Sequence, residues 1–199
     1  MKILAFSDLH RNKIAAQMIV DASASADVVV GAGDFATKGV GAVETLNILK
    51  NISVPVVLVH GNHETAEEIS FYCAQWPNLH YLHGSSVEIN DQVFFGLGGE
   101  IPAQPNNLIS TSETEERAAE LLANCPKGAV LVTHSPPFGV GDLQKNGKHE
   151  GSTSILEAAT KLNPKLLLCG HIHYAWGTSG KIGGCAVHNL GPTINWFEI

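Results

Sequence analysis

Short apolar runs alternate with amphipathic stretches along the first part of the chain. Residues 2–6, 28–32 and 55–59 form compact, mainly aliphatic runs, the pattern of strands covered on both faces. Between them, Asn12 stands where it can cap a helix over 13–26, with Ile14, Met18 and Ile19 on one face. A second helix is expected over 40–51 and a third over 64–76, the latter opening with Glu64, Glu67 and Glu68 near the positive end of its dipole. Successive βα units make the sheet begin parallel. The period then changes: residues 87–89 and 93–97, separated by Asn90, Asp91 and Gln92, read as an antiparallel hairpin. A Gly-, Pro- and Asn-rich loop over 98–108 and an acidic amphipathic helix over 111–124 follow, the helix reading as solvated surface. Strands at 129–133 and 165–169 flank a long loop, 135–151, and a helix capped by Ser152 that reaches about Leu162. Segments 185–190 and 194–198 close the chain as β-structure. Two β-rich stretches, each beside a βα stretch, predict an α/β fold of two packed mixed sheets with helices outside.

Composition narrows the class. A chain of 199 residues with 44% hydrophobic content suits one domain spanning 1–199. A net charge of −7 with only 12 Lys and Arg argues against non-specific grip on nucleic acid or an anionic membrane. Cys73, Cys125, Cys169 and Cys185 lack paired spacing and fall mostly in apolar segments, as free cysteines do in a reducing compartment. Asp8 and His10 interrupt the N-terminal apolar run before a signal sequence could form, and no membrane span is expected, so the expected location is cytoplasmic.

The polar residues that matter sit where apolar runs end. Residues 2–7 lead into Asp8 and His10, 28–32 into Asp34, 56–60 into Asn62 and His63, 129–133 into His134, and 166–169 into His171 and His173. Strand ends converge at one edge of an α/β sheet, where ligands bind. Nitrogen and carboxylate donors without cysteine suit a borderline divalent ion such as Mn, Fe, Zn, Ni or Co, in a catalytic rather than a structural thiolate site. With His63 left over, seven donors exceed what one ion needs and fit two that share a carboxylate, the arrangement that clamps an in-line displacement at phosphorus.

These blocks, Asp8-x-His10, Gly33-Asp34, Gly61-Asn62-His63-Glu64, His134 and Gly170-His171-x-His173, resemble in order the five blocks of the calcineurin-like metallophosphoesterases. The resemblance implies a four-layer αββα sandwich with two divalent metal ions at one sheet edge. It assigns Asp8, His10 and His173 to one metal, Asn62, His134 and His171 to the other, and makes Asp34 the bridge. His63 would face the leaving-group oxygen as acid or electrostatic stabiliser, with Glu64 holding its second ring nitrogen. Three departures are visible. Arg11 replaces a common glycine and puts a cation where it can contact phosphate beside Asn62. Phe35-Ala36-Thr37 lacks a further polar residue carried by several branches. Asn189-Leu190-Gly191-Pro192 varies a family turn.

Outside these blocks, His60, His80, His83 and His188 read as structural or exposed, whereas His149, before a helix N-terminus, is a candidate for substrate contact. The expected activity is a dinuclear-metal phosphoesterase acting on a small-molecule phosphoester through a metal-bridging hydroxide. Phosphodiesters, cyclic nucleotides included, are favoured over monoesters because only Arg11 and Arg117 could clamp a dianion. A scaffold retaining the fold without turnover is the alternative reading. Homo-oligomer formation is left open.

Overall fold

The computed structural model describes residues 1–104 and 110–199; residues 105–108 of the expected 98–108 loop lie outside the described residues. The first sheet is built from β1 (Lys2–Phe6), β2 (Val28–Ala32), β3 (Val56–Val59), β4 (Leu79–Tyr81) and the final strand, β11 (Asn195–Glu198). Its order is β11-β1-β2-β3-β4, parallel except for β11. The second contains β5 (Ser85–Ile89), β6 (Gln92–Leu97), β7 (Val130–Thr133), β8 (Leu166–Cys169), β9 (Ser179–Ile182) and β10 (Cys185–Asn189), in the order β5-β6-β7-β8-β10-β9. There the parallel centre β6-β7-β8-β10 is flanked by two antiparallel edges.

Side-chain alternation decides the layering even inside apolar runs. Ile3, Ala5, Val28, Val30, Val57 and Val59 pack against Phe94, Val130, Val132, Leu166 and Leu168 between the sheets. Leu4, Phe6, Val29, Val56 and Leu58 face the opposite way, under α1 (Lys13–Ser23), α2 (Ala42–Leu49) and α3 (Ala66–Cys73). Phe95, Leu97, Leu131, Leu167 and Cys169 meet α4 (Glu115–Leu122) and α5 (Thr153–Leu162) on the far side. Each fully buried aliphatic side chain contributes about 1.5–3 kcal/mol. The result is the expected four-layer αββα arrangement.

Local chemistry sets the element ends. Asn12, Thr65, Thr114 and Ser152 each accept a hydrogen bond from a backbone N–H in the first turn of their helices. Asn90 and Asp91 both have left-handed φ, 50° and 62°, which gives the β5-β6 hairpin a two-residue turn matched to strand twist. All four cysteines are free and buried.

Several expectations are corrected. Helix α1 buries Ala16, Ile19 and Ser23, while Ile14 and Met18 are exposed: sequence spacing identified an apolar stripe but not which part of it meets the sheet. Helix α3 begins at Ala66, because the Glu64 side chain is drawn inward by backbone amides. Helix α4 is not merely solvated surface, since the Glu115 carboxylate accepts hydrogen bonds from Ser152 Oγ and from the Thr153 and Ser154 amides. That places its charge at the N-terminus of α5, where the dipole favours it. Strands β4 and β9 were not expected. One is three residues long and the other reads Ser-Gly-Lys-Ile, so both exist through pairing with β3 and β10 rather than through propensity.

Candidate metal centre

The turns that follow β1, β2, β3, β7 and β8 bring the sequence-identified residues together. Asp8, His10 and His173 form one group whose ligand-type atoms all lie within 4.8 Å of one another; Asp8, Asp34 and His134 form another. His10 Nε2 is 3.1 Å from His173 Nε2. On the other side, Asn62 Oδ1 lies 3.0 Å from His134 Nε2 and 3.1 Å from His171 Nδ1. Asp34 Oδ2 stands between these triads, 3.5 Å from both His10 Nε2 and His134 Nε2. His63 Nε2 is 4.0 Å from the same oxygen.

The backbone is strained where these side chains leave it. Asp8, His10, Asp34 and His171 have φ values of 53°, 44°, 59° and 69°, a region that non-glycine residues enter at a cost of about 1–3 kcal/mol each. The compensation is visible as hydrogen bonding between loops: the Asp8 and His10 amides donate to Gly33 O and Asp34 O, and the Gly170 amide donates to His134 O. Gly61 and Gly170 leave room for carboxylates. A Cβ at Gly61 would strike Asp34 Oδ1, and one at Gly170 would strike Asp8 Oδ2.

Carbonyl groups set the ring tautomers. His10 Nδ1 contacts Ala36 O at 3.1 Å and His134 Nδ1 contacts Ala32 O at 2.8 Å, so each Nδ1 carries a proton and each Nε2 points inward. Asp8 is oriented by Ser7 Oγ at 2.5 Å, by the His171 amide and by Trp176 Nε1 at 3.2 Å. Neither Trp176 nor Ser7 was singled out from the sequence.

Two buried carboxylates converge here, and among the described residues every ion-pair partner of Asp8 and Asp34 is a histidine. Burial and the charge of Asp34 push Asp8 above the ordinary carboxylate range, despite His134. Burial opposes charge on Asp34 too, but His134, His63 and His10 hold it below that range. Burial works against charge on the His134 ring, yet Asp34, Asp8 and the Ala32 carbonyl push it up to about 10. Burial and the neighbouring His134 charge push His171 down to about 3. In the absence of another cation, a proton on His134 offsets the carboxylates. Buried acids with no lysine or arginine partner among the described residues, faced by imidazole nitrogens that can give up a proton, fit a divalent ion by donor chemistry.

The structure overturns the expected link between Glu64 and His63. Glu64 is buried and accepts hydrogen bonds from the Gly61, Asp34 and Ala36 amides at 2.6, 2.8 and 3.0 Å. It therefore joins the β2 and β3 turns instead of holding the ring. His63 Nδ1 accepts a hydrogen bond from the Lys38 amide at 2.7 Å, leaving the ring proton on Nε2. Burial lowers the His63 pKa, against the pull of Asp34, which favours that neutral form.

Other candidates are not members of the two triads. Arg11 is exposed, with its side chain packed over Gly41. Buried His60 contacts the Tyr81 hydroxyl and the His83 ring, and burial pushes it down to about 3. His149 is paired with buried Asp142. Sequence reading missed Glu100, which lies 4.0 Å from His171 Nε2 and accepts from Ser110 Oγ. Its signal was present, since β6 also ends in a glycine pair followed by a carboxylate, Gly98-Gly99-Glu100.

Comparison with known proteins agrees with this architecture. A family model described as calcineurin-like phosphoesterase matches residues 1–175. A UPF0046 protein of Caenorhabditis elegans is 43% identical over 105 residues, which is 50% of this chain and 25% of that protein. Among solved structures, TT1561 of Thermus thermophilus superposes with a TM-score of 0.77 at 18% identity, covering 99% of this chain and 98% of its own. The phosphopantetheinyl hydrolase of Mycobacterium tuberculosis superposes with a TM-score of 0.64 at 17% identity, covering 96% and 90%. At such identities the structural likeness is one of fold.

Proposed function

The chain belongs to the calcineurin-like phosphoesterase family, and from that premise we propose that it is a phosphoesterase using two divalent metal ions. Asp8, His10 and His173 would hold one ion, Asn62, His134 and His171 the other, with Asp34 shared. The observation that carries this reading is the position of Asp34 Oδ2, equidistant at 3.5 Å from one nitrogen of each triad. When bound, such ions supply a nucleophilic oxygen near neutral pH and positive charge against phosphoryl oxygens.

The protein's own groups do the rest. Ala32 O and Ala36 O keep two imidazoles in the tautomer that presents Nε2 inward. Glu64 locks the turn that carries Asp34 to the turn that carries Asn62 and His63. His63, neutral with its proton on Nε2, donates a hydrogen bond to the leaving-group oxygen as it gains charge. Asn62 and Arg11 are the substrate-binding candidates. Arg117 is paired with Glu120 on the outer face of α4, which leaves Arg11 as the single free arginine among the described residues. A site poor in arginine suits a singly charged phosphodiester better than a monoester dianion, so a small-molecule diester, cyclic nucleotides included, is the favoured substrate. Four free buried cysteines suit a reducing compartment, and the cytoplasm is proposed on that ground. Among the described residues no helix is long and apolar enough to cross a membrane.

Purified protein loaded with Mn²⁺ tests the reading on p-nitrophenyl phosphate and its bis-ester. Turnover of the bis-ester at the higher rate is expected, with Asp34→Asn losing metal and activity together. Turnover of neither ester would leave the non-catalytic scaffold as the better account, and an Asp34→Asn variant that keeps two ions would refute the shared carboxylate.

A further inference from the structure

A cavity of about 390 Å³ opens between the 139–149 loop and the segment that follows His173, lined by Val140, Leu143, His149, Tyr174, Thr178 and Gly180 among others. Its volume is that of an ordinary small-molecule pocket. We propose that it seats the alcohol portion of the ester and selects a planar ring bearing an N–H or O–H donor. The assignment to an ester rests on the phosphoesterase reading; the cavity and its chemistry do not.

Three observations lead there. First, Asp142 is fully buried, with no lysine or arginine partner among the described residues, and its carboxylate serves the pocket wall. Oδ2 accepts from the Gly139 and Gly151 amides at 2.9 and 3.0 Å, and Oδ1 is 2.6 Å from His149 Nδ1. Holding a carboxylate out of water is unfavourable unless its oxygens are satisfied. Here all the satisfaction is directed to fixing one loop and one ring. With Nδ1–H committed to Asp142, the tautomer that this bond selects carries its lone pair at Nε2, which has no hydrogen-bond partner among the described residues.

Second, the wall is aromatic and apolar where the dyad is polar. Tyr174 is 61% exposed at the cavity, Leu143 is 43% exposed, and Phe138 supports the His149 ring at 5.7 Å between centroids. An aromatic face beside an acceptor nitrogen recognises a flat ring with a donor at its edge.

Third, the cavity is tied to the metal-ligand cluster by one buried side chain. Asn189 Nδ2 donates to Gly141 O at 2.7 Å, to Gly170 O at 3.0 Å and to Ile172 O at 3.3 Å. Gly141 belongs to the cavity wall, and the Gly170–Ile172 stretch carries His171 and leads into His173. Tyr174 directly follows His173 in the 3-10 turn His173–Ala175. Cavity and triad are thus joined through one turn, with the cavity residue Tyr174 next in the chain to His173.

The test uses the full chain and two phosphate-free probes, adenosine and purine riboside, which differ by one exocyclic amine. Adenosine is expected to bind about fivefold to tenfold more tightly, the worth of one net hydrogen bond. His149→Ala should erase that preference, and Leu143→Trp, which fills the cavity from an exposed position, should abolish binding of both. Tyr174→Ala, also at an exposed position, should weaken both equally. On the Mn²⁺-loaded protein, the ratio of kcat/KM for thymidine 5′-(p-nitrophenyl phosphate) to that for methyl p-nitrophenyl phosphate should fall about tenfold or more in Leu143→Trp. Equal binding of the two probes, or binding untouched by Leu143→Trp, overturns the pocket even if the methyl ester is turned over. The expected probe pattern without turnover of either ester keeps the pocket and removes the phosphoesterase reading.

Discussion

Replacing Glu64 with glutamine probes the organisation of the centre without touching a proposed ligand. The carboxylate binds three backbone amides: Oε1 takes Gly61 and Asp34, and Oε2 takes Ala36. A glutamine oriented to keep the first two must turn its NH₂ toward the Ala36 N–H, so one hydrogen bond is lost and a buried donor faces another donor. Together these should cost about 2–4 kcal/mol. For a chain of this size, each kcal/mol lowers Tm by about 2–4 °C, which gives a drop of about 4–16 °C. Calorimetry on metal-free protein measures this directly. Mn²⁺ affinity should fall about tenfold or more as well, because the turns carrying Asp34 and Asn62 lose their common anchor. If Glu64 instead held the His63 ring, the variant would keep its stability and lose rate with poor leaving groups. A Tm within about 1 °C of wild type, with unchanged Mn²⁺ affinity, would refute the bracing role.

Other outcomes follow from the same geometry. His63→Ala should retain both ions and lose about 10²–10⁴-fold in rate on esters with poor leaving groups, and much less on p-nitrophenyl esters; equal losses on both would contradict donation by Nε2. Gly170→Ala should abolish metal loading, because its Cβ collides with Asp8 Oδ2 and Ser7 Oγ; a loaded variant with wild-type Tm would show that the turn yields. The metal-free protein should lose stability as pH rises from about 6.5 to about 10. The folded pKa of His134 lies above its unfolded value, so its contribution is complete below the lower limit and lost through the upper one. Metal loading near pH 7 should then release a proton, and calorimetry in buffers of different ionisation enthalpy that finds no release would refute a protonated His134.

How much was legible in advance depended on the kind of contact. Apolar runs followed by Gly, Asp, Asn or His announce themselves in the chain, because a strand covered on both faces must be apolar and the residue that leaves it must turn. That is why Asp8, Asp34, Asn62, His134 and His171 stand out in the sequence, and why Glu100, after a sixth run, carries the same mark. The caps Asn12 and Ser152 and the Asn90-Asp91 turn are equally local, each set by one side chain and its own backbone.

What remained hidden is made between segments distant in the chain. The direction of α1, which exposes Ile14 and Met18, is chosen by the sheet beneath it. Strands β4 and β9 exist because neighbouring strands offer a ladder. Glu64, three residues from Gly61, looked like the partner of His63 until folding delivered the Asp34 and Ala36 amides from some thirty residues away. The primary structure thus specified which donors could bind a cation and on which strand ends they stand. Only the packed molecule decided their tautomers, their charges and the brace beneath them, because a hydrogen bond between distant loops is chosen by three-dimensional proximity and leaves no periodic mark along the chain.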